Sequence, residues 1–199
     1  FAQFTFSRLP SIPKKERQAR RHVLVNGFHE LTLVFRQVRT MPVLKRFLGA
    51  FFFYNMGVQT VMLVAIDFGI KELKLPDDRL IIVAVMIQLV AIAGALLMSK
   101  LSSVYGNLRV LLFTVLLWIG VCITGYYVQS ETHFYILGGL VGLVMGGIQS
   151  LSRSTYSKLM PETRDTASFF SFYDVTEKLA IVIGLFTFGF IEGISSIRN

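Results

Sequence analysis

Five apolar runs constrain this chain more than any other feature of its sequence. Only short polar connectors separate them, and they fall at 47–70, 80–98, 108–128, 134–151 and 169–191. A helix needs about 20 apolar residues to cross the hydrocarbon core of a bilayer, because it rises about 1.5 Å per residue. In lipid, every backbone polar group must also be satisfied, which a helix achieves within one segment. The sequence therefore predicts an all-α membrane protein with five transmembrane helices in a lipid bilayer.

A basic arm precedes the first run. Residues 1–46 contain ten Lys and Arg against two Glu, which accounts for the whole net charge of +8. Beside a membrane segment, such an arm is typical of a cytoplasmic flank rather than of a nucleic-acid-binding surface. With the arm inside, the inner connectors and flanks hold fifteen Lys and Arg and the outer ones hold four. We therefore expect residues 1–46 in the cytoplasm, the end of the chain outside, and no nucleic-acid partner.

The end of the arm has the pattern of an amphipathic helix. Residues 27–39 read GFHELTLVFRQVR and place apolar side chains on one face, with His29, Arg36 and Arg39 elsewhere. Such a helix either lies on the membrane surface and ties two halves of a protein together, or packs on a neighbouring part of the protein as a linker. Pro42 is expected to end it, since the residue before a proline is disfavoured in the helical region.

A stripe of glycines marks the fourth run. Gly138, Gly142 and Gly146 recur every four residues and so share one helical face. Missing side chains along a face let another helix approach closely. Towards the inner membrane surface the same face becomes polar, with Gln149, Ser150 and Arg153. We expect helix packing at one end of this face and hydrogen-bonding groups at the other.

Amides lie inside the first two runs. Asn55 and Gln59 are one turn apart near the middle of the first run, and Tyr54 lies beside them. A buried amide without a partner costs several kcal/mol in hydrocarbon, so both must face protein or a water-filled cavity. Substrate contact and hydrogen bonding between helices both remain open for this pair. Gln88 stands alone in the second run, where a hydrogen bond between helices is the commoner role, and we keep it as a cavity candidate.

The fifth run carries ionisable groups. Asp174, Glu177 and Lys178 fall within an arc of about 100° on a helix, with Tyr173 beside them. Asp174 and Lys178 are four residues apart and can form an ion pair, which leaves Glu177 over. Ionisable residues at membrane depth indicate function by default. The group predicts a cytoplasmic-side gate or a proton-coupling site, and a latch to Arg153 is the structural alternative.

The sequence offers no other reactive site. His22, His29 and His133 are scattered, and the single cysteine, Cys122, lies inside an apolar run. This spacing suits neither a metal site nor a disulfide. Neither a P-loop nor a nucleophile elbow is present. We therefore expect no enzymatic activity, no metal and no cofactor.

The connector GALLMSKLSSVYGNLRVLL resembles the cytoplasmic loop motif of the major facilitator superfamily. Gly94, Gly106 and Arg109 fit the motif, whereas Ser103 and Val104 replace its usual Asp and Arg, as in the degenerate second copy of such transporters. Two further segments, FYNMGVQTVM and GGIQSLSRSTYSKLMPETRDTASFFSFYDVTEK, resemble the vacuole-effluxer-like branch, which includes autophagy-related amino-acid effluxers and bacterial permeases. The matching positions include Gln149, Ser150, Ser152, Arg153, Ser154, Pro161, Phe169, Phe170, Tyr173 and Lys178.

This resemblance implies a secondary active transporter that works by alternating access. Residues 1–46 would be the linker between two six-helix halves, and 47–199 the C-terminal half without its last span. The N-terminal half would be the intramolecular partner, and a small polar metabolite such as an amino acid the substrate. The expected location is the bacterial inner membrane, as a multi-pass protein. The alternative is a membrane scaffold or sensor that has lost transport and docks a partner through its basic arm.

Overall fold

The computed structural model describes residues 23–71, 74, 76–163 and 165–197, so most of the basic arm lies outside the described residues. In the described part the chain is all-helical. Its six helices are α1 (Val23–Thr40), α2 (Pro42–Lys71), α3 (Asp77–Tyr105), α4 (Asn107–Gly125), α5 (Glu131–Leu159) and α6 (Thr166–Ile197).

Helix α1 corresponds to the amphipathic pattern predicted for 27–39, although it begins earlier, at Val23. It ends at Thr40, and Pro42 is the first residue of α2, where a missing backbone N–H costs no hydrogen bond. Val34 and Val38 are buried against α2 and α6. The helix therefore packs on its neighbours through one face, and its role as a linker between two halves stays a prediction.

Helices α3 and α5 pack most closely, and glycines make this approach possible. A Cβ added at Gly142 would lie 2.6 Å from the Ile87 carbonyl oxygen. A Cβ at Gly146 would overlap the carbonyl oxygen of Ala91. The relation is reciprocal, because a Cβ at Gly94 of α3 would overlap the backbone of α5. Backbone therefore lies on backbone along this contact, as in helix pairs that associate through small residues.

Four helices are long and apolar enough to cross a membrane: Pro42–Ala65, Asp78–Tyr105, Asn107–Gly125 and Glu131–Leu159. They make this a multi-pass membrane protein. Within the described residues α6 is not among these four helices, so the fifth span, 169–191, stays a prediction. The charged residues Asp174, Glu177 and Lys178 lie in the first half of that helix.

The outward faces of α3 and α4 are apolar and exposed. Leu89 and Leu96 of α3, and Leu112 and Leu116 of α4, are each more than half exposed. Side chains of this type meet lipid at no cost, since acyl chains are as apolar as leucine. A cluster of polar groups lies elsewhere in the described part of the chain, between α2, α5 and α6.

Candidate functional site

A polar cavity of about 810 Å³ lies between α2, α5 and α6. Helix α2 contributes its middle turns, α5 its C-terminal half and α6 its N-terminal half. The predicted span 134–151 ends within α5, but the helix continues to Leu159 and so carries the polar lining beyond that span. The lining residues are Phe51, Asn55, Ile148, Gln149, Ser150, Ser152, Arg153, Ser154, Ser157, Phe170, Tyr173 and Glu177.

Helix α5 supplies most of the polar lining. Ser150, Arg153, Ser154 and Ser157 are spaced three and four residues apart, which places them on one helical face. Ser152 lies on the flank of that face, where its hydroxyl oxygen is 2.7 Å from the Tyr54 hydroxyl and 2.5 Å from the Ile148 carbonyl oxygen. This face presents hydroxyl groups and one guanidinium, which suits a small polar ligand.

An ion pair crosses the cavity from α5 to α6. Arg153 Nη2 donates to Asp174 Oδ1 at 2.8 Å, and the guanidinium lies 5.7 Å from the centre of the Tyr173 ring. The Asp174–Lys178 pair that the spacing allowed is therefore replaced by a pair between two helices. The two side chains are 59% and 51% exposed, so the pair contributes at most about 1 kcal/mol to stability. Lys178 is exposed.

Stacked aromatic rings form the floor of the cavity. The Phe51 ring of α2 stacks on the Tyr173 ring of α6, with ring centres 4.4 Å apart. The Tyr156 ring of α5 lies 5.0 Å from Tyr173, and its hydroxyl donates to the Phe169 carbonyl oxygen at 2.8 Å. These contacts join all three helices at the base of the cavity. Aromatic pairs of this kind contribute about 0.5–1.5 kcal/mol each beyond the area that they bury.

Asn55 is the most informative residue in the cavity. It is 5% exposed, and its Nδ2 has no hydrogen-bond partner among the described residues. A buried amide donor without a partner costs about 1–3 kcal/mol. Asn55 belongs to the cavity lining, so a ligand whose acceptor reaches this nitrogen would satisfy it.

The structure brings together only some of the residues proposed from the sequence. Asn55, Gln149, Arg153, Tyr173 and Glu177 line the cavity, with Tyr54 bonded to its edge and Asp174 paired across it. The others lie elsewhere and are Gln59, Gln88, Lys178, Gly138, Gly142 and Gly146.

Gln59 and Gln88 were predicted to line the cavity, but both lie outside its lining. Gln59 is half-buried on α2, one turn from Asn55, and is not part of the lining. Gln88 is exposed on α3 and borders a separate, mostly apolar cavity of about 400 Å³. Gly138 borders that same cavity.

Sequence reasoning missed Phe51 and Ser157, and it used Ser152, Ser154 and Phe170 only as motif positions. The signal for Ser157 was present, because it lies four residues after Arg153 and so shares its helical face. The aromatic residues gave no such signal, since aromatic residues are frequent throughout the apolar runs.

Metal binding finds no support within the part of the chain that the structure describes. No group of three His, Cys, Asp or Glu side chains there is arranged to hold a metal ion. The cavity instead offers hydroxyl, amide and charged groups for direct contact with a ligand.

In its described part the chain is an all-helical, multi-pass membrane protein with a polar site between three helices. A family model described as "Vacuole effluxer Atg22 like" matches residues 1–196. The chain belongs to this family. This confirms the branch expected from the motifs.

Two curated relatives illustrate the similarity. The "Uncharacterized MFS-type transporter YxiO" of Bacillus subtilis (strain 168) is 32% identical over 163 residues, which cover 82% of this chain and 38% of the relative. "Autophagy-related protein 22" of Yarrowia lipolytica (strain CLIB 122 / E 150) is 26% identical over 178 residues, which cover 83% of this chain and 29% of the relative. The chain therefore spans about a third of the length of these relatives. No solved structure matches it.

Proposed function

We propose that the chain is part of a secondary active transporter that moves a small polar metabolite by alternating access. The observation that carries this proposal is the unpaired amide of Asn55 within a polar cavity. A group of this kind is expensive in a membrane protein unless a ligand satisfies it. The relative named as an MFS-type transporter supports the same role.

Amino acids are the proposed substrate class. A zwitterion carries one carboxylate and one ammonium group, and the lining holds one group of each opposite charge, Arg153 and Glu177. The serine hydroxyls and the Asn55 amide supply neutral donors between them. A guanidinium binds a carboxylate through two parallel hydrogen bonds, which makes Arg153 the proposed carboxylate contact.

The ion pair between Arg153 and Asp174 is the proposed gate. It joins α5 to α6 at the cavity, and both side chains are more than half exposed. Because an exposed pair contributes little energy, a substrate carboxylate can replace Asp174 as the partner of Arg153. Proton coupling through Asp174 or Glu177 is the accompanying proposal, since protonation of either carboxylate would change the charge of the site.

The proposed setting is a bilayer with the basic arm in the cytoplasm. An N-terminal six-helix half, joined through residues 1–46, would supply the second wall of the cavity, and a further span would follow α6. The two halves would rock about the site and expose it to one side at a time. The plasma membrane of a bacterium is the proposed location, and the mechanism requires no cofactor.

Transport by the full-length protein in proteoliposomes tests the proposal. Radiolabelled amino acids should exchange across the membrane, and Arg153→Ala should abolish exchange. Lys45→Ala is the matched control, because it removes a cation from an exposed position that does not line the cavity. If no amino acid exchanges, this substrate class is wrong. If no small polar metabolite exchanges and the arm instead binds a partner, the scaffold interpretation replaces transport.

A further inference from the structure

A second polar pocket lies at the other side of α5, away from the proposed transport cavity. It has a volume of about 500 Å³ and is formed by the connector between α3 and α4 and by the end of α5. Arg109 and Lys158 are its charged residues, and none of its lining residues is acidic. The lining consists of Ser102, Ser103, Tyr105, Gly106, Asn107, Leu108, Arg109, Thr155, Lys158 and Leu159.

The pocket includes the N-terminus of α4. Gly106 precedes the helix with a φ of 87°, a conformation that favours glycine, and no side chain caps the helix there. The first N–H groups of any helix lack an acceptor within the helix, and the helix dipole makes that end positive. The first turn of α4 contains no acidic residue that would balance this charge. The pocket therefore combines two cations with free amide donors, which is the chemistry of an anion site.

Thr155 provides an independent indication of a ligand. It is 2% exposed and lines the pocket, and its Oγ1 has no hydrogen-bond partner among the described residues. Most threonines inside these helices bond the carbonyl four residues earlier, as Thr114 does to Val110 at 2.7 Å and Thr124 does to Gly120 at 2.8 Å, whereas Thr60 shares the unpaired state of Thr155 but does not line the pocket. Thr155 makes no such bond. A buried hydroxyl left without a partner is costly, and an acceptor in the pocket would satisfy it.

A short network fixes the cation on α5. Lys158 Nζ donates to Asn107 Oδ1 at 2.8 Å, and Asn107 Nδ2 donates to Ser154 Oγ at 2.8 Å. An ammonium group has three donors, so this bond leaves Lys158 with two for a ligand. The network holds the ammonium close to the start of α4.

An apolar groove adjoins the pocket. The groove lies between α2 and α4, has a volume of about 560 Å³ and shares Leu108 and Leu159 with the pocket. Val43, Phe53 and Leu112 line it and are each more than half exposed. The topology expected from the charge distribution places the pocket at the cytoplasmic surface, at the depth of lipid headgroups, and the groove beneath it at the depth of acyl chains.

We propose that this pocket and groove together bind one anionic phospholipid. Its phosphate lies among Arg109, Lys158, the Thr155 hydroxyl and the first amides of α4, and one acyl chain lies in the groove. The continuity of a cationic pocket with an apolar groove distinguishes a lipid from a free phosphate, which has no use for the groove. The proposal is independent of the transport cavity, because the two sites share no lining residue.

Native mass spectrometry of the full-length protein tests this site. The protein is delipidated in detergent and titrated separately with phosphatidylglycerol, phosphatidylcholine and inorganic phosphate. We expect one phosphatidylglycerol to bind with a clear preference over phosphatidylcholine. Arg109→Gln combined with Lys158→Gln should weaken this binding by about tenfold or more, because two charge-assisted hydrogen bonds are lost. Lys100→Gln is the matched control, since Lys100 is an exposed cation on α3 that does not line the pocket.

Thr155→Val keeps the test valid if the double variant fails to fold. It removes an unpaired hydroxyl while keeping the shape of the side chain, so the protein should remain folded and bind phosphatidylglycerol several-fold more weakly. Equal binding of the two lipids, or undiminished binding by Thr155→Val, would overturn the proposal. Binding of inorganic phosphate without phosphatidylglycerol would also overturn it, in favour of a free anion. Failure of both lipids to bind the full-length protein would overturn it as well.

Discussion

The substitution Asn55→Leu separates a substrate-binding amide from a purely structural one. Asn55 lines the polar cavity, is 5% exposed and has an Nδ2 without a partner in the described structure. Leucine has a similar size and carries no polar atom. The substitution therefore removes the unpaired donor and leaves the packing of α2 nearly unchanged.

A substrate-binding Asn55 and a structural Asn55 predict opposite effects of Asn55→Leu on the free energy of unfolding. An unpaired buried donor costs about 1–3 kcal/mol, so its removal should leave the free energy of unfolding unchanged or raise it by about 1 kcal/mol. A hydrogen bond to substrate contributes about 0.5–1.5 kcal/mol, and about 1.4 kcal/mol corresponds to a tenfold change in affinity. Asn55→Leu should therefore raise the KM for transport by roughly 2- to 10-fold while the protein stays as stable as before.

Thr60→Val is the matched control. Thr60 lies on the same helix and also has a buried oxygen without a partner among the described residues, but it does not line the cavity. Thr60→Val should leave the free energy of unfolding unchanged or raise it by about 1 kcal/mol, as for Asn55→Leu. It should leave the KM for transport unchanged. Thermal unfolding and proteoliposome uptake, measured on the full-length protein, give the two readouts. A destabilised Asn55→Leu variant with an unaltered KM would refute the assignment of Asn55 to substrate.

Three further predictions concern helix packing and charge. Gly146→Ala should destabilise the full-length protein by about 1–3 kcal/mol in thermal unfolding, because its Cβ would overlap the Ala91 backbone. Gly139→Ala is the control and should have little effect, since a Cβ there would meet nothing within 4 Å. Asp174→Asn should change stability by less than about 1 kcal/mol, since the pair is exposed, yet alter the ratio of inward- to outward-facing protein in cysteine-accessibility assays. Glu177→Gln should change the pH profile of uptake, and an identical profile would exclude Glu177 as a proton-coupling group.

The sequence predicted the helices well because their apolar runs are long and their breaks are sharp. The glycine stripe of the fourth run also followed from spacing alone, since three small residues on one face leave few structural alternatives. The sequence did not identify α3 as the helix that packs on this stripe, because each of the other apolar runs also offered an apolar face.

The site was harder to predict than the fold. Asn55 and Gln59 share a helical face by spacing, yet only Asn55 lines the cavity. Asp174 had two partners available, Lys178 on its own helix and Arg153 on α5, and the choice depends on the distance between α5 and α6. Gln88 was considered because amides are rare in such runs, but its exposed position on α3 depends on which face of that helix packs. These outcomes depend on how the helices pack against one another, and the helical periodicity of the sequence carries no information about that packing.

Cysteine accessibility in the full-length protein tests the central claim most directly, namely that the polar face between α2, α5 and α6 borders water. Single cysteines at Ser157 and Glu177 would be placed in a background in which Cys122 is replaced by alanine, with Leu89→Cys as the lipid-facing comparison. A membrane-impermeant thiol reagent should label both cavity positions, substrate should protect them, and Leu89→Cys should remain unlabelled. If positions 157 and 177 resist the reagent from both sides of the membrane and in every transport condition, the polar cavity is not a substrate pathway.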